Sequence, residues 1–176
     1  MFLETDWCYC AFETCNLTKG ELKMAESGDN SKKALIAALN GALADHMALY
    51  MKTKNFHWHV AGGRFRDLHL LFDEQAAQII ALVDDIGERV RKNDEYALTS
   101  IGSVGKATNI ADQDDVTVTA DDMVRELRDD NKKLLERLKE VKQTSDEAGD
   151  YATNGVVDDW IDQTEERVWF LTQTLK

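Results

Sequence analysis

Apolar residues recur at three-, four- and seven-residue steps from Ser31 onward. Ile36, Leu39, Leu43, Met47, Tyr50 and His57 lie on one stripe of a 3.6-residue period, with Ser31 as its cap. This predicts a helix that runs to the break at Gly62-Gly63. A second helical run covers about 64–92. Residues 93–118 are rich in Asn, Ser, Thr, Gly and Asp and only weakly periodic. They predict a long crossover with a short helix near 100–107. Thr119, followed three residues later by Asp122, is a capping signal. It opens a third helix through Met123, Leu127, Leu134, Leu138 and Val141, which Gly149 stops. A fourth helix is expected over 153–175, with Val156, Val157, Trp160, Ile161, Val168, Phe170 and Leu171 as its apolar residues.

Two helical hairpins joined by a long crossover predict an all-α fold, a ferritin-like four-helix bundle with the crossover between helices two and three. The chain contains no proline, which suits long unbroken helices. The expected organisation is a flexible tail over 1–30 and one domain over 31–176. Met24 opens MAESGDNSKK and offers a second translation start.

Charge narrows the function classes. The 176 residues hold 33 acids against 21 Lys and Arg, a net charge of −12. That balance disfavours nucleic acid and anionic membrane surfaces, which need a basic patch, and suits attraction of cations. No stretch is expected to be apolar enough to cross a membrane. The N-terminus carries Glu4 and Asp6 where a secretory signal would be basic, so the cytoplasm is the expected location. Cys8, Cys10 and Cys15 are odd in number and lack a nearby His, a poor basis for a disulfide framework or a closed zinc site.

The second helix carries the candidate chemistry. His69 and Asp73 are one turn apart, and so are Asp84 and Glu88. The eleven residues from Asp73 to Asp84 return to within ~20° of the same face. Ala77 and Ile80 fill the gap, so the acids sit in a stripe of buried type. Carboxylates and imidazoles in such a stripe need a compensating partner, and a metal is one. Oxygen and imidazole donors without thiolate suit iron(II), manganese or zinc. His69 and Glu88 stand ~28 Å apart along a helix, too far for one ion. The line therefore holds two half-sites, placed symmetrically about the midpoint between Gln78 and Ile79. Antiparallel packing on a second copy would bring the two halves together in an isologous dimer. His57 and His69 lie symmetrically about Gly63, so His57 can join the set. The expected intersubunit site is His57, His69 and Asp73 with Asp84 and Glu88 of a second copy.

KTKNFHWHVAGGRFRDLHLLFDEQ followed by DDIGERV resembles the Dps family, the mini-ferritins named for DNA-binding proteins of starved cells. The family pattern is an HW dipeptide, a His twelve residues on, an Asp four later, an Asp eleven later and a Glu four later. Here these are His57-Trp58, His69, Asp73, Asp84 and Glu88, and every interval matches. The resemblance covers roughly 31–176. It implies a hollow dodecamer that oxidises Fe(II), preferentially with hydrogen peroxide, and stores ferric mineral inside. It also implies that His57, His69, Asp73, Asp84 and Glu88 are the ferroxidase ligands, with iron as their metal. The chain has no E-x-x-H, the pair that intrachain di-iron ferritins use.

The alternative reading is a nucleoid protein that binds and protects DNA. Residues 1–30 hold two lysines against six acids, which stands against it. Gly87 replaces the Ala usual in the family's D-x-x-A-E-R. Gly155 falls where the family tends to place a pore acid, which leaves Asp150, Asp158, Asp159 and Asp162 as candidates to guide cations. Trp58 beside a proposed ligand is a candidate sink for stray oxidising equivalents. Trp169 is a second indole late in the last helix. His46 and His59 are assigned to structure or surface.

Overall fold

The computed structural model describes residues 19–176, with side chains from residue 30 onward. Five helices follow one another: α1 (Lys19–His59), α2 (Phe65–Lys92), α3 (Ile101–Ala107), α4 (Ala120–Glu147) and α5 (Tyr151–Thr174). The four long ones form the bundle. Ser31 lies inside α1 rather than capping it, and 19–30 of the expected tail belongs to the helix. No proline interrupts this stretch, and adding residues to an existing helix costs far less than starting one.

Neighbouring helices are antiparallel throughout. Asp45 of α1 meets Arg137 of α4, and seven residues on, Lys52 meets Asp130. Gln75 and Arg89 of α2 meet Arg167 of α5 and Asp150 at its N-terminus in reverse order. Consequently α2 and α4 run parallel on the bundle's diagonal. A chain that ends α2 and must start a parallel α4 has to travel back along the bundle, which is why the crossover is long. Its short helix α3 starts on a capping box between Ser100 and Ser103, and it packs on α1. The buried carboxylate of Asp45 holds the crossover: it accepts from Thr108 Oγ1 at 2.8 Å, the Asn109 amide at 2.6 Å and Arg137 Nε at 3.1 Å. Gly41 makes room for that guanidinium, since a Cβ there would stand 2.9 Å from Arg137 Cζ.

Turn chemistry sets the other boundaries. Gly62, at φ +103°, closes the α1–α2 turn in a conformation that penalises a Cβ. Thr119 caps α4 by accepting from the Asp122 amide, and Asp150 caps α5 by accepting from the Thr153 amide.

The core joins Leu39, Leu43 and Phe56 of α1 to Phe72, Ile79 and Ile86 of α2, Leu127, Leu134 and Leu138 of α4, and Val157 and Trp160 of α5. Val156 and Phe170, expected among the apolar face of α5, are exposed. Adjacent helical residues diverge by ~100°, so Val156 cannot share the inward face with Val157. One stretch, 30–59, does reach the length and apolarity of a membrane-crossing helix, contrary to expectation. Leu35, Leu39, Leu49 and Phe56 within it are buried against the other helices, which accounts for its composition.

A polar layer crosses the interior. Arg167 of α5, 1% exposed, donates from Nε to Asn131 Oδ1 at 2.9 Å and from Nη2 to Thr164 Oγ1 at 2.7 Å. Burial pulls its pKa down to about 10. His46 is fully buried, its Nδ1 donating to the Ala42 carbonyl at 2.7 Å. Burial, with the Arg167 charge adding to it, lowers the His46 pKa to about 4. His46 is thus a core residue rather than a surface one.

Candidate metal centre

The Gly62 turn lays the end of α1 against the start of α2 and brings the two histidines together. His57 Nδ1 bonds to the His69 carbonyl at 2.7 Å, and His69 Nδ1 bonds to the His57 carbonyl at 2.9 Å. A carbonyl oxygen only accepts, so Nδ1 is the donor in each ring, and Nε2 is the nitrogen that carries the lone pair whenever the imidazole is neutral. The rings stack with centroids 3.8 Å apart and planes 21° from parallel. Such a backbone anchor on one ring nitrogen is how metal-binding histidines are commonly oriented.

Asp73, one turn after His69, adds a carboxylate. Its Oδ1 is 4.0 Å from His57 Nε2. Lys54 Nζ donates to the same oxygen at 2.7 Å, and that hydrogen bond holds the Asp73 carboxyl below the usual range. Lys54 was not among the expected site residues. Its position one turn before His57 was the available signal, because residues at i and i+3 share a helix face.

Asp84 and Glu88 do not join this cluster. They lie further along the same face of α2, exposed, ~16 Å beyond Asp73 at its nearest. Glu88 accepts from Lys92 at 2.7 Å, which lowers its carboxyl pKa. Ala77 and Ile80, expected to be of buried type, are exposed between the two half-sites, so the stripe faces outward. Among the described residues, no group of three His, Cys, Asp and Glu of one chain is placed to hold a metal ion. His57, His69 and Asp73 form one half-set, and Asp84 with Glu88 forms another.

Beside the stripe lies an apolar groove of about 800 Å³, lined among others by Met51, Trp58, His59, Ile80, Ile101 and Val116. Trp58 and Trp169 are each 57% exposed, so neither indole is core packing.

The expected cation-guiding acids are largely engaged. Burial alone would raise the Asp150 pKa. Hydrogen bonds from Asn93, Thr153 and Arg89 outweigh that and hold the carboxyl far below its ordinary value. Asp158 pairs with Lys142 at 2.8 Å, and Asp159 accepts from Gln163 at 2.7 Å. Capping explains Asp150: an acid three residues before Thr153 serves the helix start before it serves solvent. Cys8, Cys10 and Cys15 lie outside the described residues.

The ferritin-like domain family matches residues 36–176. A "DNA protection during starvation protein" of Brevibacillus brevis is 32% identical, over 83% of this chain and 98% of the relative. The crystal structure of a Dps protein from Bacillus brevis superposes with a TM-score of 0.80 at 28% identity, covering 84% of this chain and 98% of that one. A Dps protein from Vibrio cholerae O1, described as belonging to a broad superfamily of ferritin-like diiron-carboxylate proteins, gives a TM-score of 0.78 at 28% identity. That alignment covers 84% of this chain and 92% of the other.

Proposed function

The chain belongs to the Dps family of ferritin-like proteins, and from that premise we propose that it is a ferroxidase that stores iron and protects the cell from oxidative damage. Its substrates are Fe(II) and hydrogen peroxide, and its product is ferric mineral held within an oligomeric shell. The observation that carries this reading is the reciprocal His57–His69 bonding, which engages both Nδ1 atoms and leaves both Nε2 atoms out of it, with His57 Nε2 4.0 Å from the Asp73 carboxylate.

Imidazole nitrogen and carboxylate oxygen form a donor set suited to Fe(II). In this reading His57, His69 and Asp73 of one copy face Asp84 and Glu88 of a second. The symmetric spacing along α2 supports an isologous pairing, in which both sites form together or not at all.

The residues then divide the work. His57 and His69 would hold the metal through Nε2, the ring nitrogen that the backbone does not engage. Asp73, Asp84 and Glu88 bring negative charge, which stabilises Fe(III) over Fe(II) and eases electron loss. Two Fe(II) supply one electron each to one hydrogen peroxide. The O–O bond breaks, two protons are taken up and two waters form. Pairing the electrons avoids the single-electron step that releases hydroxyl radical. The acidic surface of a −12 subunit favours retention of the ferric product.

The test follows Fe(II) oxidation at the ferric absorbance with stoichiometric hydrogen peroxide. Native chain should oxidise iron rapidly, and Asp84→Ala/Glu88→Ala and His57→Ala/Asp73→Ala should each fall to the protein-free rate. Unfolding and reassembling the two variants together places one intact site in every mixed dimer. About one quarter of native activity should then return. No return after verified mixing would overturn the shared site, and a native chain no faster than free iron would overturn the ferroxidase.

A further inference from the structure

Phe65 is the first residue of α2, one turn before His69, and its ring is 47% exposed. A large apolar side chain left half in solvent at a helix start gains little from burial. Among the described residues its one ring contact is with His69, centroids 5.1 Å apart and planes 33° from parallel. The contact follows from helix geometry. Long side chains on a helix lean back toward its N-terminus, so the imidazole of His69 leans over the turn that Phe65 occupies. His57, His69 and Phe65 thus form a run of three rings joined by two contacts across the α1–α2 turn.

We propose that Phe65 is a positioning residue for the metal centre, holding the plane of the His69 ring so that Nε2 stays aimed at the ion; this rests on the metal-site reading above. The terminal torsion of histidine is broad and imposes little direction of its own. The Nδ1 bond to the His57 carbonyl restrains one edge of the His69 ring. It leaves the ring free to rock about that bond. A tilted aromatic contact resists such rocking, because aromatic pairs favour particular relative orientations. Orientation fixed before the ion arrives need not be fixed at its expense, so affinity rises without a new ligand. An aliphatic side chain of similar bulk would exclude water equally well and orient the ring less.

The experiment titrates the full chain with Co(II), read by its visible ligand-field bands. The comparison is native, Phe65→Ala, Phe65→Leu, Phe65→Tyr and His57→Ala/His69→Ala. Circular dichroism and oligomer size check that each folds as the native chain does. Native chain should bind with a band that the double histidine variant loses. Phe65→Ala and Phe65→Leu should bind about 10-fold more weakly with an altered band, and Phe65→Tyr should restore both. If Phe65→Ala or Phe65→Leu matches native in affinity and band, the role of Phe65 is overturned while the metal centre stands. If native chain and the double histidine variant behave alike, the metal centre falls and the proposal falls with it.

Discussion

Lys54 and Asp73 share the oxygen that the candidate site needs: Lys54 Nζ lies 2.7 Å from Asp73 Oδ1, and His57 Nε2 lies 4.0 Å from the same atom. An ammonium and a metal cannot both take that lone pair at full strength. In the proposed site Lys54 would be a resident cation that competes with an incoming ion for Asp73. Asp73 is held low by this hydrogen bond and is ionised at neutral pH with or without it. Changes in affinity at pH 7 would then report competition rather than protonation. Lys54→Met should bind Co(II) or Zn(II) a few-fold more tightly than native, a modest gain because the pair is partly solvated. Lys54→Arg, which keeps the charge, should not. Calorimetric titration of the three proteins decides it, and weaker binding by Lys54→Met would show that Lys54 supports the site instead.

His46 makes stability depend on pH. Its folded pKa is lowered by burial to about 4, against an ordinary value of 6.5. Below pH 6.5 the unfolded chain takes up a proton that the folded chain refuses until about pH 4. Stability therefore falls as pH drops through that window and levels off below it, by about 3 kcal/mol in all. Asp150 does not interfere in the upper part of the window. Its folded pKa is depressed, so its contribution is present above the ordinary Asp value of 3.8 and is lost only in stronger acid. Urea unfolding at steps from pH 7 to pH 5 should show a decline in native chain that is shallower in His46→Leu. Equal slopes would remove His46 as the cause.

Gly87 is a weak point that a methyl group can repair. It sits inside α2 beside Glu88, and a Cβ there would meet only Leu43 Cδ2, at 4.0 Å, an ordinary contact. Its φ is not positive, so alanine meets no backbone strain. Gly87→Ala should stabilise the chain by about 1 kcal/mol and raise the thermal midpoint by a few degrees. A lower midpoint would mean that Gly87 is needed for a close approach made only in the assembled protein.

Much of this architecture was written locally in the chain. The 3.6-residue stripes through Leu39, Leu43, Leu127 and Leu134 marked the helices, because helix periodicity and burial are properties of neighbouring residues. Thr119-x-x-Asp122 marked the start of α4 for the same reason, a cap being a contact across three residues. The pairing of His57 with His69 was also legible, since both lie at equal distance from one turn. The rest depended on which faces meet. His46 proved to lie in the core, where the charge of Arg167, 121 positions away in the chain, acts on it. Asp150 looked like a free acid until Arg89 of α2 was placed against it. The outward direction of Ala77 and Ile80 followed from the core being completed by Phe72, Ile79 and Ile86 on the other side of α2. Periodicity tells which residues share a face. Only packing between distant segments tells which way that face points, and whose charge lies across from it.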